Sequence, residues 1–314
     1  MLHPLVVIDN TTPGPCRRLP VKRGYAGCTG LRPPVGAAII LSNESLPGGG
    51  WELTSAQKQE APLLSVVIPA YNEEENVRRG ALQEVVDYLS SQEYACELIV
   101  VDDGSEDDTA ALVAEASSRY PFVSLLRTQH GGKAAAVTAG VFAARGAYIS
   151  FTDMDQSTPI RFVEDALREL QAGSDVVIGS RWRKGAARLG EPLVRHLLGR
   201  MFAPLVRILL LAEITDSQCG FKSFSGKVAH ELFSNMKVFS IGPQGAMGPM
   251  VSAFDVELLV LAKKRGYRIK EIPVIWRHVS TRRVSPFRDA YRMLKQVAQV
   301  WLNNVRGRYD VSGP

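Results

Sequence analysis

The chain has 314 residues, 46% hydrophobic and 22% charged, the balance of an ordinary globular protein with enough length for one large domain or two modest ones. Its 37 Lys and Arg against 32 Asp and Glu leave a mild net charge of +5. Cys16, Cys28, Cys96 and Cys219 form neither a CxxC pair nor a disulfide framework, no run reaches the roughly eighteen apolar residues of a membrane span, and the N-terminus lacks a signal-peptide pattern. Composition therefore excludes a disulfide-stapled secreted scaffold and predicts a reduced, cytoplasmic protein.

Residues 1 to about 61 stand apart. Thr12-Pro-Gly-Pro15, Arg32-Pro-Pro34 and Pro47-Gly-Gly-Gly50 interrupt every apolar run, which predicts a loosely ordered N-terminal extension with at most one strand, Val35–Leu41. From Pro62 a regular alternation begins. Strands are predicted at Leu64–Pro69, Glu97–Val101, Phe122–Leu126, Ala147–Thr152 and Asp175–Ile178. Helices are predicted between and after them at Glu74–Leu89, Asp107–Ser118, Lys133–Ala144 and Pro159–Gln171. Asn72 reads as a cap for the first helix, and Asp103 and Ser105 as caps for the second. Such alternation means βαβ units and a mostly parallel sheet flanked by helices, an α/β fold. Beyond Ser180 the rhythm changes. Leu193–Leu211 is apolar and dotted with arginine, Gly220–Phe224 and Arg268–Trp276 read as strands, and Lys227–Phe233 and Phe254–Arg265 as helices. Pro286–Asn304 reads as a basic amphipathic helix, and the glycine- and proline-rich Ile241–Pro249 as a loop of the kind that closes over substrates.

Two of the strands deliver carboxylates at their C-terminal ends: Cys96–Val101 runs into Asp102 and Asp103, and Ala147–Thr152 into Asp153 and Asp155. The C-terminal lip of a parallel sheet is where open α/β folds bind ligands. In an extended segment Asp153 and Asp155 point the same way, and two hard oxygen donors suit Mg²⁺ or Mn²⁺ shared with substrate phosphates. From Lys263 to Arg308 there are 13 Lys and Arg against only Glu271 and Asp289, a surface for phosphates or anionic lipid. The region lacks the aromatic interleaving that stacks bases, so nucleic acid is not an expected partner.

Seven motifs occur in order: Val66-Val-Ile-Pro-Ala-Tyr-Asn-Glu73, Val101-Asp-Asp-Gly-Ser105, Gly132-Lys133, Asp153-Met-Asp155, Gly179-Ser-Arg181, Asp216-Ser-Gln-Cys-Gly-Phe-Lys222 and Ala253-Phe-Asp-Val-Glu-Leu258. The set, spread over roughly residues 63 to 300, resembles family-2 glycosyltransferases. Within them it is most similar to the polyprenyl-phosphate (dolichyl-phosphate) sugar synthases, the β-glucosyl branch above all. The resemblance implies a nucleotide-diphospho-sugar transferase (GT-A-like) fold with C-terminal amphipathic helices, a nucleotide-sugar-binding region over 62–235 and an acceptor-side region over 236–314. It assigns Pro69, Tyr71 and Glu73 to the base and ribose pocket, and a nucleobase-edge contact to the Asp102–Asp103 pair, which does not choose between UDP and GDP. Asp153 and Asp155 become diphosphate–metal ligands. Lys133 and Arg181 become partners for phosphates or for those aspartates. Lys222 and Arg283 become cations for the acceptor phosphate or for anionic lipid. Mannosyl-type relatives place a glutamine two residues after the second aspartate; here Ser157 stands there, so Gln156 is not assigned as a ligand.

The implied reaction is inverting transfer of a hexose, glucose from UDP-glucose ahead of mannose from GDP-mannose, to a polyprenyl phosphate. A lipid monophosphate is already ionised and needs no general base, while the metal and nearby cations stabilise the departing nucleoside diphosphate. Two rival readings remain. One is a related transferase acting on a soluble or polysaccharide hydroxyl, with Asp255, beside Glu257, as base; the other is a nucleotide-sugar-binding protein without turnover. Leu197–Leu211 and Pro286–Asn304 fit a peripheral association at the cytosolic face of a membrane, with core packing or a homo-oligomer interface as the competing use of those stripes.

Overall fold

The computed structural model describes residues 61–190, 204, 206–239, 253–279 and 286–310, with the backbone alone for 286–290. The predicted N-terminal extension, the Ile241–Pro249 loop, Arg283 and most of Leu193–Leu211 therefore lie outside the described residues. The order of elements is β1 Leu64–Ala70, α1 Glu74–Arg78, α2 Ala81–Ser90, β2 Cys96–Asp102, α3 Thr109–Arg119, β3 Val123–Arg127, α4 Lys133–Ala143, β4 Tyr148–Phe151, α5 Phe162–Gln171, β5 Val176–Ser180 and β6 Ala187–Leu189. There follow β7 Lys222–Ser225, α6 Gly226–Asn235, α7 Phe254–Lys264, β8 Ile269–Pro273, β9 Ile275–Arg277 and α8 Pro286–Val305.

Seven strands form one sheet in the order β3-β2-β1-β4-β7-β5-β8, and β7 alone runs antiparallel, between β4 and β5. The chain builds outward from β1 to β3, then returns to place β4 against the other side of β1. Where the order reverses, between β1 and β4, the connections leave in opposite directions and a crevice opens at the strand ends. Both faces are covered, so the central strands read as nearly continuous apolar runs. Alternate residues serve different cores. Val66, Ile68, Leu98 and Val100 pack with α2 and α5, while Val67, Ile99 and Val101 pack with the alanine-rich α4. The approach of α4 is close: a Cβ on Gly140 would lie 2.3 Å from Val67 Cγ1.

The polar closure at the other end of the sheet is compact. Buried Glu97 accepts the Ser65 hydroxyl and the Arg145 N–H at 2.6 Å each, and the Arg145 side chain at 2.9 and 3.0 Å.

The structure corrects four local expectations. The predicted helix over 74–89 is broken at Gly80, whose φ of 93° ends one helix and starts the next. The predicted strand Arg268–Trp276 is two strands, β8 in the main sheet and β9 paired with β6. Asn72 has a φ of 52° and caps no helix; its side chain accepts the Glu106 N–H at 2.8 Å and its own N–H donates to Ser105 Oγ at 2.9 Å, tying the exits of β1 and β2 together. Ser105 is thereby used, and Asp103 turns to the loop before α4, so neither caps α3.

Candidate active site

The lip of the sheet at the β1–β4 reversal collects the predicted residues from several elements. Asp153 and Asp155 follow β4, but not in an extended segment. A turn closes on Asp153, whose carbonyl accepts the Gln156 N–H at 3.2 Å, and Gln156 takes a φ of 50°. The two carboxylates thus come together through a turn rather than through strand alternation. Asp155 Oδ1 accepts the Ser157 N–H at 2.9 Å. Burial, and then the charge of Asp153, hold the Asp155 carboxyl above the usual carboxylate range, against the opposing pull of the Ser157 hydrogen bonds and Lys133.

Lys133 opens α4 directly after Gly132 (φ 84°), and its Nζ lies 2.5 Å from Asp153 Oδ1. Burial works to lower its ammonium pKa, but Asp153, Asp255 and Asp155 outweigh burial and lift it to about 12. That balance places one cation amid three carboxylates. Gly220 backs Asp153 from the loop before β7, where a Cβ would sit 2.1 Å from Asp153 Oδ2.

These residues meet the requirements of a hard divalent cation. They offer two acidic oxygen donors, one of which is held partly against ionisation by the other. Beside Asp155, the buried Gln156 Oε1 has no hydrogen-bond partner, although its Nε2 donates to the Asp153 carbonyl at 2.8 Å. Among the described residues no group of three or more His, Cys, Asp or Glu side chains forms a metal cage. Asp153 and Asp155 would therefore hold the ion with help from phosphates and water.

Around this centre lie two closed pairs. Lys222 begins β7, is fully buried, and donates from Nζ to Asp255 Oδ1 and to the Cys219 carbonyl at 2.6 Å each. At 0% exposure Lys222 cannot reach a lipid headgroup, which removes that half of its expected role. Asp255 is 5% exposed at the start of α7. Arg181, after β5, is held in fork geometry by Asp216, with Nε–Oδ2 at 2.7 Å and Nη2–Oδ1 at 2.8 Å. Burial alone would raise the Asp216 pKa; the Arg181 guanidinium overrides this and holds it below the usual carboxylate range. Glu257, a neighbour of Asp255 in sequence, takes no part in the site. It is fully buried and accepts the N–H groups of Lys237, Val238 and Phe239 and the Tyr309 hydroxyl.

One or two strands along the lip lies the region expected to take a nucleobase and ribose. Pro69 is in β1, and Glu73 ends the turn before α1, its N–H donating to Thr109 Oγ1 at 2.7 Å and its carboxylate accepting from Asn76. Asp102 is 0% and Asp103 2% exposed. Asp102 accepts from the Ser105 N–H at 3.1 Å and from Arg127 at 3.3 Å. Asp103 accepts the N–H groups of Gly131 and Gly132 at 2.8 Å each. Neither carboxylate is exposed, and both hold the loops that follow β2 and β3 in place. Accessible here are the exposed Arg127 side chain and two rings, Tyr71 and His130, stacked with centroids 4.2 Å apart and planes 27° apart. Sequence reasoning took Gly132 and Lys133 from this loop and passed over His130. Asp216 and Gly220 lie within a sequence motif, but their partners Arg181 and Asp153 lie far from them in the chain. The signal available was their position between strand ends; the contacts themselves are long-range.

Comparison with known proteins agrees with this geometry. Residues 65–233 match the model of the family described as Glycosyl transferase family 2. A dolichyl-phosphate beta-glucosyltransferase, ALG5D, of Trichomonas vaginalis is 33% identical over 69% of this chain and 66% of its own length, just under two-thirds. The human dolichyl-phosphate beta-glucosyltransferase is 30% identical over 78% of this chain and 77% of its own length. Among solved structures, glucosyl-3-phosphoglycerate synthase from Mycobacterium tuberculosis, in complex with Mn²⁺, UDP and glucosyl-3-phosphoglycerate, superposes with a TM-score of 0.52 at 22% identity, covering 77% of this chain and 79% of that one. A mannosyltransferase from Pyrobaculum calidifontis, in complex with GDP-Man and Mn²⁺, also gives 0.52, at 20% identity over 82% of this chain and 67% of that one. These two support the nucleotide-sugar transferase fold.

Proposed function

The chain belongs to glycosyl transferase family 2, and we propose that it transfers glucose from UDP-glucose to a dolichyl-type polyprenyl phosphate, with inversion at the anomeric carbon. GDP-mannose is the competing donor. The names of the relatives support this reading, and one observation in the site favours a phosphate acceptor over a hydroxyl. Asp255, the carboxylate that a hydroxyl acceptor would need as base, already holds the Lys222 ammonium at 2.6 Å in a buried pair. Taking a proton on its other oxygen would remove the counter-charge of that buried ammonium, a cost that a phosphate acceptor does not impose. A phosphate oxygen is ionised at neutral pH and asks for no base.

A divalent cation, Mg²⁺ or Mn²⁺, held by Asp153 and Asp155 would stabilise negative charge on the departing diphosphate. Lys133, paired with Asp153, lies where it can also meet a phosphate oxygen of the donor. Tyr71 and the end of β1 line the base side. The Arg181–Asp216 fork and the Lys222–Asp255 pair tie the loops on the acceptor side to the sheet and to α7.

The acceptor requires a membrane surface, and α8 offers one. Its inner face buries Val297, Val300 and Asn303, while Tyr291, Leu294, Trp301, Leu302 and Val305 stand exposed on the outer side beside Arg292, Lys295 and Arg306. An apolar stripe flanked by cations fits an anionic bilayer interface. No helix of the described residues is long and apolar enough to cross a membrane. The association proposed is peripheral and on the cytosolic side, in keeping with Cys96 and Cys219 as free thiols.

The test is transfer of labelled sugar from UDP-glucose, with GDP-mannose in parallel, to polyprenyl phosphate in detergent with Mg²⁺ or Mn²⁺. Labelled lipid from UDP-glucose, absent in Asp155→Asn, is the expected result. Metal-dependent transfer to a soluble hydroxyl with no lipid product would overturn the reading and return the base role to Asp255.

A further inference from the structure

We propose that His130 recognises the nucleobase of the donor by accepting its ring N–H, and that Asp103 is the residue that positions it. The inference rests on the nucleotide-sugar reading above and adds the determinant of base selectivity.

The first step is location. Asp153 and Asp155 mark the diphosphate end of a donor, at the tip of β4. Adjacent strands lie about 4.8 Å apart, so a nucleoside reaching along the lip through β1 comes to the ends of β1 and β2. There, Asp102 and Asp103 are buried and engaged, and a base would meet the Tyr71–His130 stack and, at the end of β3, the exposed Arg127 side chain, which can only donate. Rings 4.2 Å apart leave no room for a base between them, so the base lies against or beside the pair.

The second step is the proton on His130. Its Nδ1 lies 3.0 Å from Asp103 Oδ2 and 3.1 Å from the Asp103 main-chain oxygen. A carboxylate and a carbonyl only accept, so Nδ1 carries the hydrogen and donates. A neutral imidazole with a proton on Nδ1 has a lone pair on Nε2, which is then an acceptor. The side chain is 30% exposed, and its ring is fixed from behind: Asp103 also binds the next two backbone N–H groups, of Gly131 and Gly132. Gly104 gives the loop its clearance, since a Cβ there would meet the His130 backbone nitrogen at 3.0 Å.

A fixed acceptor selects by base class. Uracil and guanine present a ring N–H on the pairing edge; cytosine and adenine present a lone pair at the corresponding nitrogen. Facing His130 Nε2, the first two form a hydrogen bond and the last two meet lone pair with lone pair. A site built to bond an N–H rejects the analogue lacking it. The ligand class is therefore a uridine or guanosine diphosphate.

Binding of UDP, GDP, CDP and ADP, each with Mn²⁺, to the full chain by titration calorimetry tests the assignment. The wild type is expected to bind UDP or GDP about tenfold or more tightly than CDP and ADP, the worth of one net hydrogen bond. His130→Phe keeps a ring against Tyr71 and removes the acceptor; it should bring that preference near unity while leaving the melting temperature within a few degrees. His130→Gln, which restores an amide oxygen, should recover much of the preference. If the Phe substitution melts early, His130→Leu takes its place. An unchanged preference in the Phe or Leu protein, or no base preference in the wild type, overturns the assignment and leaves the transferase reading standing. A wild-type chain that binds none of the four overturns both.

Discussion

The two ends of the central sheet use the same kinds of residue to opposite effect. At the N-terminal end, Glu97 is surrounded by donors: the Ser65 hydroxyl, the Arg145 N–H and the Arg145 guanidinium. Glu97 and Arg145 answer each other within the fold. At the C-terminal end, Asp153 and Asp155 share one lysine, burial and mutual repulsion push Asp155 toward its neutral form, and Gln156 Oε1 is buried without a partner. Parallel strands explain the asymmetry. Their connections depart in opposite directions at the β1–β4 reversal, opening a crevice at one end only. One end is closed by its own hydrogen bonds, and the other holds two carboxylates together beside a single lysine.

Substitutions can break that contrast. The largest effect is expected at Lys222, the closed pair nearest the open end. Lys222→Met strands Asp255 as a buried, unpaired carboxylate and should cost about 3–5 kcal/mol in chemical denaturation; a loss under 1 kcal/mol would show the pair to be solvated. Next comes Asp155→Asn, expected to lower transfer by about a hundred- to a thousandfold, roughly 3–4 kcal/mol of barrier, with no loss of metal-free stability. Glu97→Ala should do the reverse, costing about 1–3 kcal/mol of stability while leaving kcat near the wild-type value. A large kcat effect from Glu97→Ala would erase the distinction between the two ends.

The smallest effect sharpens the contrast by pH. The folded-state pKa of Asp155 is raised, so its stabilising contribution is full below the unfolded carboxylate value of about 4 and is lost as pH rises through the folded value. Metal-free wild type should therefore lose melting temperature relative to Asp155→Asn as pH rises above about 4. Saturating Mn²⁺ should reverse that loss, because an ion bound by the folded state alone stabilises it. Equal slopes for the two proteins without metal would mean that the carboxylates do not interact.

Helix α8 offers a separate, surface contrast. Replacing Trp301 and Val305 by Ser changes only the outer face of α8. It should weaken co-sedimentation with anionic vesicles while transfer to a detergent-dispersed acceptor continues. Equal vesicle binding would assign the stripe to another partner.

Much of this was legible before any coordinates. The apolar runs ending in Asp102-Asp103 and Asp153-Met-Asp155 carry both the alternation that makes a parallel sheet and the carboxylates at its lip, because strand character and strand end are local properties. The ordered motifs through Ala253-Phe-Asp-Val-Glu-Leu258 carried the family. What the sequence left open was how charges pair. Asp102, Asp103 and Glu257 look like candidate ligands in a linear chain, yet the fold spends them on backbone N–H groups and neighbouring side chains. Lys222 meets Asp255 across 33 residues and Arg181 meets Asp216 across 35. His130 gains its role only when a loop after β3 folds back onto the end of β2. Periodicity and turn chemistry act over a few residues and are written in the sequence, whereas desolvation and pairing depend on what the tertiary fold brings within about 3 Å. Local structure and family were therefore set by the chain itself, and only the tertiary structure decided which charged groups are structural and which remain open to a ligand.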